Sequence, residues 1–477
     1  METLASSPPA VPVEEQARRE IESLIARARS AQAAIESYTQ EQADGLATSV
    51  GWQVYKSREA LAKLAVEEGG FGNVPDKITK IALRVLGTLA DMALVKTCGI
   101  VEEDAARGLI KIAKPVGVIA ALIPTTGPDA TPPVKALAAL KARNAIIISP
   151  HPRTRKASAA VVEVMRKGCI QVGAPADLIQ SIEHPSIAKT ELLMRMSDLI
   201  VATGGASMVK AAYSSGTPAY GVGVGNSVHV VDETADLDDA AQMIAKAKTF
   251  DYATSCLADN SVVAHSSIYE DLKQKLTGRG GHICTPTEKS RLQALMWPTG
   301  GHIPSIEIVA KPASRIAELA KIELAPDRTF FVVEEDGVGE AHPFSGEKLS
   351  VVLALYRYQG GIEGAIDLVN RITSYQGAGH TCGIHSRRDD HVMALAFGTK
   401  TARVLVNQNL NEGAGSVRNG LPYTLSLSCG SWGGNITTEN INVRHFLNLT
   451  WVSRPVAPHA VTAEQIFDAH WAKYGNE

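Results

Sequence analysis

The chain has 477 residues, a net charge of −3, 45% hydrophobic and 20% charged residues. That length exceeds one compact core, so two or more domains are expected. The balanced charge leaves no footprint for nucleic acid or a membrane surface, and no apolar run of about 18 residues marks a transmembrane helix. The six cysteines (98, 169, 256, 284, 382 and 429) are scattered without a CxxC pair. This argues against zinc, and against a disulfide framework, and for a reducing cytoplasm.

Residues 1–12 are rich in Ala, Ser and Pro, carry Glu2 and lack a basic stretch. They read as a flexible tail rather than a secretory signal. Residues 14–38 have a helical stripe through Ile21, Leu24, Ile25 and Ala28. Helices are also expected over 50–67, stopped by Gly69-Gly70, and over 76–94. The three form an outer helical layer.

From residue 116 strands and helices alternate. Strands are expected over 116–123, 145–149, 178–182 and 198–203, and helices over 132–143, 154–168, 187–196 and from Gly205 to Tyr213. Buried strands joined by helices give an α/β fold with a parallel doubly wound sheet, whose ligands sit at the strand carboxyl ends. A second alternating region spans 228–406 and includes strands over 330–334 and 349–358. Residues 407–435 are a Gly-, Asn- and Ser-rich loop. Residues 445–452 read as a late strand without an obvious partner, of the kind that completes a neighbouring subunit's sheet.

Cys256 follows a helical run (237–250) and precedes the apolar Ser261-Val262-Val263-Ala264. A thiol on a loop between rigid elements is open to substrate, as a nucleophile must be. A small buried hydrophobe is the other reading of a free cysteine. Thr203-Gly204-Gly205-Ala206-Ser207 joins a strand end to a helix N-terminus, where free N–H groups attract phosphate; a tight turn without a ligand has the same sequence. Gly221-Val222-Gly223-Val224-Gly225-Asn226 fails the GxGxxG spacing and reads as a crossing between domains. His380 lies among glycines, so its ring is expected to line a cavity and to move a proton, with a structural histidine as the alternative. Cys429, in its Gly-rich loop, is the rival thiol, expected to shape the substrate funnel. Arg315, Lys311 and Lys321 read as a solvated helix face.

Over residues 15–455 the sequence resembles the aldehyde dehydrogenase superfamily, and more closely its CoA-acylating branch. The resemblance rests on short stretches in shared order: Glu68-Gly69-Gly70-Phe71-Gly72 with Asp76-Lys77; Ile123-Pro124-Thr125-Thr126; Ser149-Pro150-His151-Pro152-Arg153; and Ala202-Thr203-Gly204-Gly205. They continue with the 221–226 crossing, Cys256, Glu347-Lys348-Leu349, Gly379-His380-Thr381 and Cys429-Gly430-Ser431-Trp432-Gly433-Gly434-Asn435. The resemblance implies a flexible tail over 1–12, a Rossmann-like NAD(P)-binding domain over 13–227 with part of an oligomerisation arm, an α/β catalytic domain over 228–436, and an oligomerisation strand and tail over 437–477. It implies a cytoplasmic homodimer or homotetramer that oxidises a small aldehyde with NAD or NADP.

In that chemistry Cys256 adds to the aldehyde, and its backbone N–H and the Thr126 region stabilise the oxyanion. Glu347 matches the glutamate that binds the nicotinamide ribose. Positions near Ser149 and Pro152, with His151 between them, match residues that hold the adenosine ribose. Arg153, Arg155 and Lys156 lie close enough to neutralise a 2′-phosphate, or are surface charges. Hydrolytic relatives carry a water-activating glutamate 34 residues before the cysteine; here that residue is Val222, flanked by Gly221, Gly223 and Val224. Valine cannot abstract a proton, so the thioester is expected to pass to CoA. The hydrolytic reading, release of the free acid, is the alternative. Branch members act on acetaldehyde, succinate semialdehyde or sulfoacetaldehyde, and the wording of 439–451 is most similar to the last group. Arg418 and Arg444 are the candidates for an anionic head group. No metal is implied.

Overall fold

The computed structural model describes residues 13–476. The expected tail over 1–12 lies outside them. Helices α1 (Val13–Ile35), α2 (Gln40–Gly69) and α3 (Val74–Ala93) come first. The predicted stripe of α1 is its buried face: Ile21 and Ala28 are fully enclosed. Helix α2 begins ten residues before its predicted start. Thr39 and Gln42 cap it reciprocally, and Gly70 ends it in the left-handed region at φ 71°.

A hairpin follows, β1 (Gly99–Asp104) and β2 (Leu109–Pro115), which the sequence reading passed over. Then come β3 (Val118–Leu122), α4 (Thr131–Lys141), β4 (Ala145–Ser149), α5 (Arg155–Gln171), β5 (Ile179–Ser181), α6 (Ile187–Met196), β6 (Leu199–Thr203), α7 (Ala206–Tyr213) and β7 (Ala219–Val222). The five strands form a parallel sheet in the order β5-β4-β3-β6-β7. Its middle strands are buried on both faces, as a covered parallel sheet requires. Leu122 pairs with Ser149 and Ala202, and Thr203 with Val222, so the carboxyl ends form one rim.

The 221–226 stretch is only partly a crossing, because Gly221 and Val222 close β7. The chain passes to the next sheet over 223–227. There β8 (Val228–Val231), α8 (Leu237–Thr249), β9 (Ser261–His265), α9 (Tyr269–Gly278), β10 (Gly281–Ile283), α10 (Pro286–Met296), α11 (Ala313–Ala320), β11 (Phe330–Glu334), β12 (Val352–Tyr358), α12 (Ile362–Tyr375), β13 (Gly379–His385), α13 (Asp389–Gly398) and β14 (Thr401–Val406) succeed one another. Their seven strands are parallel in the order β10-β11-β12-β9-β8-β13-β14.

The late strand β15 (Leu447–Ser453) precedes an exposed helix α14 (Ala463–Tyr474). The expectation that β15 lacks a partner in its own chain is corrected. It pairs antiparallel with β2 from Leu447↔Pro115 to Ser453↔Leu109, giving a three-stranded sheet β1-β2-β15. The charged, half-exposed hairpin had no apolar run to announce itself. No described helix is long and apolar enough to cross a membrane.

Candidate active site

Helix α8 delivers the chain to the Cys256 loop through an unusual turn. Asp251, Tyr252 and Ala253 all adopt the left-handed region, with φ of 50°, 52° and 61°. Each such non-glycine residue costs about 1–2 kcal/mol, so the surroundings must impose the shape. They do so through Asp251, which is fully buried. Its carboxylate accepts from Asn73 N (3.0 Å), Lys77 Nζ (3.1 Å), Lys80 Nζ (2.7 Å) and Thr254 Oγ1 (2.7 Å). Its own N–H donates to Asp76 Oδ2 at 2.7 Å. A Cβ on Gly72 would strike that carboxylate. Burial alone would raise the Asp251 carboxyl, but Lys80 and Lys77 hold it below its ordinary value. The stretch 72–80 is therefore the seat of the nucleophile loop.

Cys256 faces a cavity of about 480 Å³ between the two parallel sheets. One wall is the strand rim: residues 124–127, His151, Thr203 to Gly205, and Val222 to Val224. The other is built from Phe250, Thr254, Ser255, Cys256, Glu347 and Leu349. Leu425, Leu427, Asn411 and Ala414 close it, with Lys80 and Arg84 reaching in from α3. Helix α3 is therefore more than the outer layer expected of it.

Several expected residues meet here. Cys256, Thr126, Gly204, Gly205, His151, Val222 and Glu347 line the same cavity. No acceptor engages the Cys256 N–H among the described residues, so it is free to serve as an oxyanion donor. Burial, with Glu347 and Cys429 adding, pushes the Cys256 thiol up to about 12. Burial likewise pushes Glu347 up to about 8, against the Gly225 N–H, which donates to its Oε1 at 3.1 Å. Glu347 is the only carboxylate on the wall among the described residues. Ser149 and Pro152 sit at the end of β4 but outside the wall; the Ser149 hydroxyl is paired with Thr190 at 2.9 Å.

Other expectations are corrected. His380 does not line the cavity. It is enclosed in β13 with no exposed surface, both ring nitrogens lack partners, and burial with Arg403 nearby drives its pKa down to about 3. The flanking glycines accommodate the backbone of 429–433 rather than open a space, since a Cβ on Gly379 would meet Cys429 O. Cys429 is buried behind the wall. Arg418 is half-exposed beside Glu412, and exposed Arg444 only caps a turn with its N–H, so neither reaches the cavity. Lys311 is not on a solvated face; it donates to Gly70 O and lies over the Phe71 ring. Arg153 stacks over the same ring at 4.9 Å, and Arg155 contacts His184.

Sequence reasoning missed Lys80, Arg84, Asp129 and Asp251. Lys80 and Arg84 are one turn apart on α3, a spacing that puts both on one face.

The sequence pattern described as the aldehyde dehydrogenase family matches residues 6–284. A protein of Bilophila wadsworthia named sulfoacetaldehyde dehydrogenase (acylating) is 42% identical over 94% of this chain and 98% of its own. The crystal structure of an acetylating aldehyde dehydrogenase from Geobacillus thermoglucosidasius superposes with a TM-score of 0.91 at 36% identity, covering 95% of this chain and all of the other. A propionaldehyde dehydrogenase of Rhodopseudomonas palustris with bound propionyl-CoA gives a TM-score of 0.82 at 26% identity, covering 91% and 94%. The chain belongs to the aldehyde dehydrogenase family.

Proposed function

We propose that the chain is an acylating aldehyde dehydrogenase that converts an aldehyde, CoA and NAD(P)+ to acyl-CoA and NAD(P)H, with sulfoacetaldehyde as substrate. The observation that carries it is the shared cavity of Cys256 and Val222: the thiol faces the position where hydrolytic relatives place a base, and that position holds an apolar side chain. The names of the relatives support the acylating class and the sulfonated substrate.

NAD(P)+ supplies the hydride acceptor, and CoA supplies the thiol that takes the acyl group. The first-turn N–H groups of α7, behind Gly204 and Gly205, fit a pyrophosphate, and Gly205 leaves the approach open because a Cβ there would meet nothing. Glu347 would hold the nicotinamide ribose; His151, with Ser149 and Pro152 on the same rim, would flank the adenosine end. Cys256 adds to the carbonyl, and its N–H together with Thr126 receives the oxyanion. Collapse of this adduct leaves a Cys256 thioester. Val222 and the glycines beside it offer water no base, so the thioester persists until a thiol arrives.

The division expected from sequence is retained: a cofactor domain over 13–227, a catalytic domain over 228–436 and a C-terminal arm over 437–477. The half-exposed Leu449 and Trp451 of β15 favour a homodimer or homotetramer built on that arm. Six free cysteines favour the cytoplasm.

The second reading is hydrolysis with Glu347 as the base, because its carboxylate lines the cavity and titrates near neutrality. An assay without CoA separates the two. The acylating enzyme should release one NAD(P)H per Cys256 and stall; sustained NAD(P)H production without CoA would overturn the proposal.

A further inference from the structure

Among the described residues, the cavity contains one cation that no carboxylate offsets. Arg84 is 7% exposed, lines the cavity, and has no carboxylate within ion-pair distance among the described residues. Lys80, its neighbour one turn earlier, is paired with Asp251 at 2.7 Å and Asp129 at 3.6 Å. The groups around Arg84 are carbonyls and the Tyr423 ring, whose centroid lies 5.8 Å from the guanidinium carbon. Nη1 donates to Ala414 O (2.5 Å) and Gly415 O (3.1 Å), and Nη2 to Asn411 O (3.3 Å). A guanidinium has five N–H donors. These three bonds leave the Nε–H, which is buried without a partner, and one N–H of Nη2.

A buried, unpaired charge is costly unless a ligand completes it. The place is also specific. Ala414, whose carbonyl anchors the guanidinium, packs with Leu257 and Leu427 in the apolar cluster against which Cys256 rests. Burial lowers the Arg84 pKa to about 10, with Tyr423 and the Cys256 sulfur acting in the opposite sense, so the group stays charged at neutral pH and close enough to feel the thiol. The other charged candidates fall away: His151 is kept neutral by burial and Arg153, and Arg418 and Arg444 lie outside the cavity. Ser255, next to the nucleophile and on the same wall, uses its oxygen to accept from Leu257 N, which leaves its hydroxyl proton to donate.

We propose that Arg84 is the specificity residue of this cavity: it receives the oxyanion head of a short anionic aldehyde, a sulfonate in the reading above, while Cys256 attacks the carbonyl. In sulfoacetaldehyde a single CH2 separates the carbonyl carbon from sulfur. The receptor must therefore stand in the same cavity as the thiol, as Arg84 does. Two vacant N–H groups on a planar fork suit a tetrahedral oxyanion. The inference rests on the sulfonated-substrate reading, and the test separates the two.

The test compares wild type with Arg84→Met and Arg84→Lys. Kinetics are measured with sulfoacetaldehyde and with acetaldehyde, each with CoA and NAD+. Alkylation of Cys256 by uncharged iodoacetamide is measured with and without ethanesulfonate. Loss of a charge-assisted contact should cut kcat/KM for sulfoacetaldehyde by about 10- to 100-fold, mainly through KM. Acetaldehyde should lose far less, and Arg84→Lys should recover part of the sulfoacetaldehyde activity. Ethanesulfonate should protect Cys256 in wild type and fail to do so in Arg84→Met. Equal losses on both aldehydes with protection intact would make Arg84 a brace for 411–415 and overturn the proposal. If Arg84→Met does not fold, Arg84→Lys with unchanged KM and unchanged protection overturns it as well. If wild type ignores sulfoacetaldehyde but Arg84-dependent protection persists, the anion site stands and the substrate reading falls.

Discussion

The Gly225 N–H and the Glu347 carboxylate meet at 3.1 Å, directly beside the nucleophile. A Cβ on Gly225 would lie 2.6 Å from Cys256 Cβ, so the crossing between the sheets presses against the thiol's own backbone. One glycine thus holds together the crossing, the reactive loop and the only carboxylate of the cavity among the described residues.

This arrangement ties two titrations. Below about pH 8 Glu347 is protonated and neutral; above it, the carboxylate charge pushes the Cys256 thiol further up. In the ligand-free enzyme, iodoacetamide labelling of Cys256 should therefore climb with pH and still be rising at about pH 10, since a thiol near 12 is about 1% thiolate there. Glu347→Gln removes the repelling charge. It should match wild type near pH 6 and label several-fold faster by about pH 9.5. A labelling plateau near pH 8, or a slower Glu347→Gln above it, contradicts this coupling.

The seat of the loop is testable at Asp251. Asp251→Asn keeps the shape but leaves Lys77 and Lys80 with Asp129 alone as counter-charge. Breaking one partner of a buried network costs about 3–5 kcal/mol, which denaturant titration would report. Misplacing the thiol should lower kcat by about 10²-fold. The pH sign is fixed by the lowered Asp251 carboxyl: its contribution is full above the unfolded-state pKa and fades as pH falls through the folded one. Wild type should lose stability in acid over that interval more steeply than Asp251→Asn. Equal acid sensitivity in the two proteins would remove Asp251 as the cause.

Much of this was legible in the sequence, and the omissions have physical reasons. The buried strands β4 and β11 announced themselves as apolar runs, and the glycines before α7 marked its start. Val222 was located by counting back from Cys256, and the structure brings both to one cavity. Three things escaped. The β1–β2 hairpin is charged and half-exposed, so it carries no run of buried residues. The Asp251–Lys80 pairing joins residues 171 apart, a distance no local pattern spans. Arg84 sits on a helix whose spacing says only that one face is covered, not that the cover is a cavity. His380 misled in the opposite direction, because glycines that admit a neighbouring backbone look like glycines that open a space.

The cofactor site makes a steric prediction. Gly205 caps α7 at φ −65°, and a Cβ there would touch no protein atom. Gly205→Ala should fold as well as wild type, with an unchanged thermal midpoint. If phosphate approaches this helix end, the added methyl should raise KM for NAD(P)+ by about 10-fold while leaving KM for the aldehyde nearly constant. An unaltered cofactor KM would move the pyrophosphate elsewhere.

The last prediction concerns the missing base. Val222 closes β7 on the cavity lining, 2% exposed, and Cys256 lines the same cavity. Val222→Glu would place there a carboxylate whose pKa burial raises toward neutrality, the range a general base needs. Like Glu347, it would add negative charge near the thiol, so the acylation step should slow. The thioester, however, would now face a base able to activate water. NAD(P)H production without CoA, which should stall after one turnover in wild type, should become continuous in Val222→Glu, with free acid as the product. Val222→Gln controls for size and polarity: it has no proton-abstracting group and should still stall. Continuous turnover in wild type, or in Val222→Gln to the same extent as in Val222→Glu, would show that the fate of the acyl group is decided by something other than the side chain at 222.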